Sequence, residues 1–364
     1  MAVMKRPCIR ILNLALLALS LLFCIGQGVA EGKDVRAGFI YVSSAQDAGW
    51  SHAHDLGRQA VEKISGVNTD YVESISEDVY AESVLTHMAV SEHDIIFATS
   101  YGYMEAIFKV APRYPNIVFM HCGGTQRAKN VGTYFGRIYQ ARYLTGLVAG
   151  SMSRTGVIGY VAAYPLPEVI RGINAFTIGV REANPEAKVV VRWVKSWHDT
   201  EKEKEIAHNL VNMKADVLAQ HQDSPAIQLV AQKRGVYSIG YNQDMSAFAP
   251  KAHLTAAIWR WEAIYEKVVK DVMAGTWKSQ DIWWGLESGV VDIAPFGPDV
   301  TKEIRDMVAL RKQQIINGHH DVFSGPVLDQ KGKVRIAAKS KATDSELLKM
   351  NWFVNGVAGT ANPE

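Results

Sequence analysis

Val157-Ile158-Gly159-Tyr160-Val161, then a helix-spaced segment from Glu168 to Glu182, then Lys188 to Val194, decide the fold class. Two β-rich runs flank one helix, which is the βαβ unit of a parallel sheet. The same alternation extends in both directions. Upstream, strands are expected at Ala37–Val42, Asp94–Ala98 and Asn116–Met120, with helices at Ser51–Ile64, Met104–Ala111 and Ile138–Ser151. Downstream, strands are expected at Asp216–Ala219, Val236–Gly240 and His253–Ile258, with helices at Glu201–Met213, Pro225–Arg234 and Trp261–Ala274. These strands are too many for one comfortable sheet. The pattern predicts an α/β protein of two doubly wound parallel-sheet lobes. Residues 31–155 form the first lobe, part of 250–340 returns to it, and residues 156–250 form the second. No Pro/Ser-rich linker separates them, so short hinge strands are expected. A further helix is expected at Val300–Asn317, and residues 318–364 hold a hairpin around Phe323–Val327 and Val334–Ile336 and a tail.

Composition narrows the function classes. The 364 residues are 48% hydrophobic and 21% charged, which excludes a mostly disordered chain. With 39 basic and 37 acidic residues, the net charge of +2 argues against a dedicated nucleic-acid binder. Lys5, Arg6 and Arg10 precede an apolar run from Ile11 to Gly26, and Gly28-Val29-Ala30 offers small residues at a cleavage site. That is the pattern of a secretory signal peptide over residues 1–30. Cleavage is expected after Ala30. Lipid attachment at Cys24 fits less well, because Phe23 stands where a small residue is usual. Loss of the three basic residues leaves 36 basic against 37 acidic, a net −1, and Cys122 as the sole thiol. A periplasmic address follows.

Ligands of open α/β sheets bind beyond the carboxyl ends of the strands. The loops there read Ser43 to Trp50, Thr99 to Tyr103, His121 to Gly124, Ala163 to Pro167, Lys195 to Asp199, Gln220 to Ser224, Tyr241 to Met245 and Trp259 to Trp261. They are rich in aromatics, amides and carboxylates. Histidine aside, Lys195 and Arg260 are their only basic side chains. A phosphate site would want more cations or a glycine-rich nest. A flat, neutral, polar ring fits better, and nucleobases are such rings. One aromatic stack on a base is worth roughly 1–3 kcal/mol. At roughly 1.5 kcal/mol per heavy atom, a base of about ten atoms has ample ceiling for nanomolar binding without a phosphate. Each Trp or Tyr here could equally be a core residue.

Other chemistries are weakly supported. His52 and His54 do not share a helix face. His121-Cys122 has no second pair at metal-ligand spacing, so no metal and no cofactor are expected. Gly-x-Ser-x-Gly is absent, and no carboxylate pair argues for hydrolysis.

Several stretches carry a resemblance. They are Phe39-Ile40-Tyr41 with Asp47-Ala48-Gly49-Trp50-Ser51 and His54-Asp55-Leu56-Gly57-Arg58, the segment Tyr134 to Leu144, Gly240-Tyr241-Asn242-Gln243-Asp244, and Ser324-Gly325-Pro326-Val327. In order and spacing they resemble the basic membrane protein family, substrate-binding proteins of ABC importers. The resemblance implies a type I periplasmic-binding fold, a monomer, a membrane permease as partner and purine nucleosides as ligands. Where nucleoside binders read Gly-Val-Asp, this chain has Gly240-Tyr241-Asn242, and Trp259 stands where they carry a lysine. Both changes remove groups directed at a ribose and point to a free purine base such as adenine.

On this reading Trp50 and Trp197 close on the two faces of the base, with Tyr101 or Trp259 flanking. Asp223 accepts from an amine or ring N–H, Asn242 both donates and accepts, and Gln222 is a second amide. Asp223 could instead cap the helix that follows it. Asp47 could only shape its turn, and Asp244 could anchor the hinge. Nothing is chemically transformed; the lobes close around the ligand. Three alternatives stay open: a nucleoside-binding protein of the same fold, a nucleoside-acting enzyme, and a periplasmic purine sensor.

Overall fold

The computed structural model describes residues 1–2 and 34–363. The expected apolar leader segment, the cleavage site at Ala30 and the Cys24 question fall outside the described residues. In chain order the strands are β1 (Val35–Ile40), β2 (Val67–Val72), β3 (Ile95–Ala98), β4 (Val118–Cys122), β5 (Val131–Gly136), β6 (Val157–Ala162), β7 (Lys188–Trp193) and β8 (Val217–His221). They continue with β9 (Tyr237–Asn242), β10 (His253–Trp259), β11 (Asp281–Trp284), β12 (Val291–Ile293), the hairpin β13 (Val327–Leu328) and β14 (Val334–Ile336), and β15 (Val357–Ala358). The α-helices are α1 (Trp50–Val61), α2 (Val79–Val90), α3 (Met104–Val110), α4 (Ile138–Met152), α5 (Pro167–Ala183), α6 (Thr200–Asn212), α7 (Ala226–Arg234), α8 (Glu262–Met273), α9 (Lys302–Ile316) and α10 (Asp344–Leu348).

The strands form two sheets. One has six strands in the order β11-β5-β4-β3-β1-β2, and its pairs are parallel. The other has seven in the order β12-β10-β9-β8-β6-β7-β15, parallel except where β12 runs against β10. This is the expected α/β class with two doubly wound lobes. Interior strands are apolar on both faces because helices cover both; β3 (Ile95-Ile96-Phe97-Ala98) is buried along its whole length. Helix ends follow ordinary chemistry. Pro167 opens α5, Asp199 accepts from the Lys202 N–H at the start of α6, and Gly235 ends α7 at φ +66°.

Among the described residues the chain passes between sheets three times: at Arg137, around Arg260, and over 285–290. The passages are tied together, Arg137 N–H to Trp284 O at 2.6 Å and Arg260 N–H to Val290 O at 2.8 Å. Helix α4 packs on α5, β10 and β12, so it sits with the second sheet. The first lobe therefore gives way at Arg137, ahead of the boundary expected near residue 155. Helix α8 packs on α1 and β1, and β11 joins the first sheet. The tail straps the second lobe: Asn174 donates to Trp352 O at 2.7 Å and accepts from Val354 N–H at 3.0 Å.

The reason for the placement of α4 is its contact with α5. A Cβ on Gly146 would sit 2.1 Å from Phe176 O, on Gly150 2.3 Å from Val180 O, and on Gly179 2.1 Å from Tyr143 O. The two helices touch backbone to backbone. Gly146→Ala or Gly179→Ala should therefore lower stability in denaturant unfolding by about 1–3 kcal/mol or more. Gly172→Ala on the same α5 meets Arg142 Cγ only at an ordinary 3.7 Å and should change it by less than about 1 kcal/mol.

Candidate functional site

The loop before α1 is organised by Asp47. Its carboxylate accepts from Ser43 Oγ at 2.6 Å, Gly49 N–H at 2.7 Å and His52 N–H at 3.1 Å. It shapes the first turn and satisfies amides at a helix start that has no cap of its own. The residue that follows, Trp50, directs its indole Nε1 to Thr99 O at 2.8 Å. Its ring lies edge-on to Trp259 (5.7 Å) and Trp261 (5.6 Å), beside His54 and Phe135. Trp259 and Trp261 stack at 4.4 Å, and Trp261 stacks on His54 at 4.4 Å. One aromatic wall thus joins the end of β10 to the first lobe. Gly136 makes room for it, since a Cβ there would stand 2.5 Å from the Trp259 ring.

Asp223, Asn242 and Gln222 come from the ends of β8 and β9. Asn242 closes β9 at φ +70°, a left-handed conformation that Asn tolerates better than most residues. Its Nδ2 donates to Asp223 Oδ1 at 2.7 Å, which leaves the buried Oδ1 of Asn242 without a partner among the described residues. Both polar atoms of buried Gln222 are likewise without one. Asp223 does not cap its own helix; Ser224 Oγ accepts the Ala226 N–H instead. It faces the start of α1 across the cleft. A Cβ on Gly49 would lie 2.5 Å from Asp223 Cα, so only glycine allows this approach. Gln243 Nε2 donates across the same gap to Ala48 O at 2.8 Å. Asp244 accepts from the Ser246 N–H in its own turn, and the hinge passages lie elsewhere.

Trp197 and Tyr101 are more open. Trp197 is 38% exposed, and its ring meets Tyr164 at 5.3 Å and His221 at 6.0 Å. Its carbonyl accepts the Asp223 N–H at 3.1 Å. Tyr101 is 62% exposed, in a short turn after β3. The structure therefore brings Trp50 and Trp259 into one wall, and Asp223 and Asn242 into one pair. Trp197 stands on the second lobe in a separate ring cluster, and Tyr101 lies at the rim of the first. Reading strand ends alone missed Phe135, which lies within β5, and Glu168, one residue beyond the loop after β6. Nothing in the sequence marked Arg142, which lies mid-helix and stacks on Tyr241 at 3.7 Å.

A family model described as ABC transporter substrate-binding protein PnrA-like, Bmp, matches residues 34–321. The chain belongs to this family. A purine-binding protein of Brucella abortus is 38% identical over 92% of this chain and 96% of its own length. A putative ABC transporter glucose-binding protein of Haloferax volcanii is 39% identical over 92% of this chain and 83% of its own. Among solved structures, an ABC transporter solute-binding protein from Conexibacter woesei has a TM-score of 0.69 at 22% identity, over 79% of this chain and 98% of that one. The fold is that of type I periplasmic-binding proteins. As a Bmp-family member the chain is an ABC transporter substrate-binding protein, an extracytoplasmic class that binds small ligands and works with a membrane permease. No helix among the described residues is long and apolar enough to cross a membrane.

Electrostatics sets the state of the cleft carboxylate. Burial, then the neighbouring charge of Asp47, pushes the Asp223 pKa up to about 8. The Asn242 amide and the Trp50 N–H work in the opposite direction. A carboxyl group raised in the folded form holds its proton there while the unfolded chain has lost it. Its contribution to stability is intact below the unfolded value near 4 and falls as pH rises to about 8. Asp223→Asn stays neutral throughout. The melting temperature of this variant, relative to wild type, should rise steadily between pH 5 and pH 8. A constant difference would show that Asp223 is ionised throughout.

Proposed function

We propose that this substrate-binding protein is the periplasmic, monomeric component of an ABC importer and that it carries a free, adenine-like purine base between its lobes. The carrying observation is the Asp223–Asn242 pair. Because Nδ2 of Asn242 is engaged by Asp223, the pair presents Oδ1 of Asn242 as an acceptor for an amino group or ring N–H, beside an Asp223 carboxyl that donates while protonated, which suits the mixed edge of a purine. Trp50 and Trp197, on opposite lobes, supply faces for the ring, with Tyr101, Trp259 and Gln222 around them. An amide at 242 and a tryptophan packed into the aromatic wall at 259 leave little directed at a ribose. The Brucella relative, a purine-binding protein, supports the same reading. Closure around the base creates the form that the permease accepts.

A second reading has one support, the Haloferax relative described as glucose-binding. A pyranose also offers a flat face to tryptophan and hydroxyls to a carboxylate–amide pair.

The test is calorimetric titration of the protein, unfolded and refolded to strip carried-over ligand. The titrants are adenine, hypoxanthine, guanine, adenosine, guanosine and glucose. Adenine should bind tighter than adenosine by about tenfold or more, a gap of about 1.4 kcal/mol. Adenosine and inosine incubated with the protein should be recovered intact. Tighter nucleoside binding would overturn the free-base reading. Heat from glucose alone would move the function to sugars, and silence from all six would overturn both.

A further inference from the structure

Glu168 is the second residue of α5, directly after Pro167, where the chain leaves β6. It therefore stands beyond a strand's carboxyl end, on the second lobe. Its side chain is 31% exposed, and Oε1 lies 3.9 Å from Nε2 of buried His221. Around it is a layer of buried polar groups that the Asp223–Asn242 pair does not use. The Arg142 guanidinium stacks on Tyr241 at 3.7 Å and donates Nη1 to Gln220 O at 2.7 Å. Its Nε and Nη2, and Nδ1 of His221, have no partner among the described residues. The His221 ring lies 4.4 Å from Tyr241 and 6.0 Å from Trp197.

These groups form a second polar end of the cleft. Tyr241 packs against His221 and Arg142, whereas the next residue, Asn242, turns to pair with Asp223. Glu168 stands beside His221, and Asp223 at the Asn242 amide. Through His221, Glu168 is connected to Tyr241 and to Trp197, the ring on the second lobe expected to face the ligand. Neither Arg142 nor Arg171 forms an ion pair with Glu168 among the described residues; burial pushes its carboxyl pKa up, and the charges of Arg171 and Arg142 favour the ionised form against that burial. His221 is held neutral by burial and offers no cation. Glu168 is thus a cleft carboxylate not committed to an ion pair with arginine, on a rigid helix start, backed by buried donors.

We propose that Glu168 is a specificity-determining residue that accepts the imidazole N–H of a free base at the end of the site away from Asp223 and Asn242. A nucleoside carries its sugar on that nitrogen and has no such donor. A carboxylate facing it would stay unpaired, which is penalised strongly in a desolvated site. One acceptor at each end then recognises a base with an amine on one edge and a ring N–H on the other, and selects it over its nucleoside. This rests on the purine reading above.

The experiment titrates wild type, Glu168→Gln and Glu168→Asp with adenine and adenosine. Glu168→Gln keeps the shape but loses the charge-assisted acceptor. It should weaken adenine by about tenfold or more while adenosine binds as well as before or tighter, so that the preference for the free base collapses. Glu168→Asp retracts the carboxylate and should shift the preference the same way, which keeps the test open if the glutamine variant fails to fold. Equal losses for both ligands would mean a general structural role and would overturn the proposal. An unchanged preference in both variants would overturn it too. Wild type that binds no purine would fail the function reading itself, whereas wild type that binds adenine with an unaltered preference in the variants fails this inference alone.

Discussion

The start of helix α1 on the first lobe meets Asp223 on the second, and the closed form of the molecule depends on that contact. Helix starts present unpaired N–H groups and favour negative charge. Here Asp47, from the helix's own loop, takes Gly49 and His52, while Asp223 faces the same end from across the cleft. Two carboxylates at one helix start repel, and both are partly desolvated. The conflict is relieved by protonation of Asp223, by the Asn242 amide, and by the absence of a side chain at Gly49. Aspartate at 242 would set a third carboxylate against the pair. The amide there is consistent with the electrostatics as well as with ligand choice.

The aromatic wall answers a different constraint. His54, Trp261, Trp259 and Trp50 lie in one connected series of rings, 4.4 to 5.7 Å apart. Trp259 and Trp261 belong to the segment where the chain recrosses from the second sheet to α8. The wall is therefore also the side of a hinge passage, and its rigidity fixes where a ring-shaped ligand can lie. Trp259 has one face covered by Trp261. Trp197, with only Tyr164 and His221 beside it, is freer to adapt.

Much of this was legible in the sequence because buried parallel strands announce themselves as apolar runs. Asp94–Ala98 and Val157–Val161 are such runs, and both are strands. Edge strand β2, Val67-Asn68-Thr69-Asp70-Tyr71-Val72, is half polar because one side faces water, and it was not foreseen. Strand β5, Val131-Gly132-Thr133-Tyr134-Phe135-Gly136, is buried, but its glycines hide it; those at 132 and 136 exist to admit Met120 and Trp259. The apolar pattern of α4 marks it as buried but does not say against which sheet; its close approach to α5 rests on glycines. The strand-end rule pointed to Trp50, Asp223 and Asn242, whose positions beyond the strand ends follow from topology. It could not find Arg142, which reaches Tyr241 and Gln220 from inside a helix, nor show that Asp223 faces a helix of the other lobe.

The most direct measurement is a crystal structure of the protein grown with adenine. The base should lie in the cleft with its ring plane bounded by Trp50 and Trp197, an amine or ring N–H within hydrogen-bond distance of Asp223 or Asn242 Oδ1, and Trp259 along its edge. Adenine bound outside the cleft, or in it with Asp223 and Asn242 both out of reach, would overturn the account.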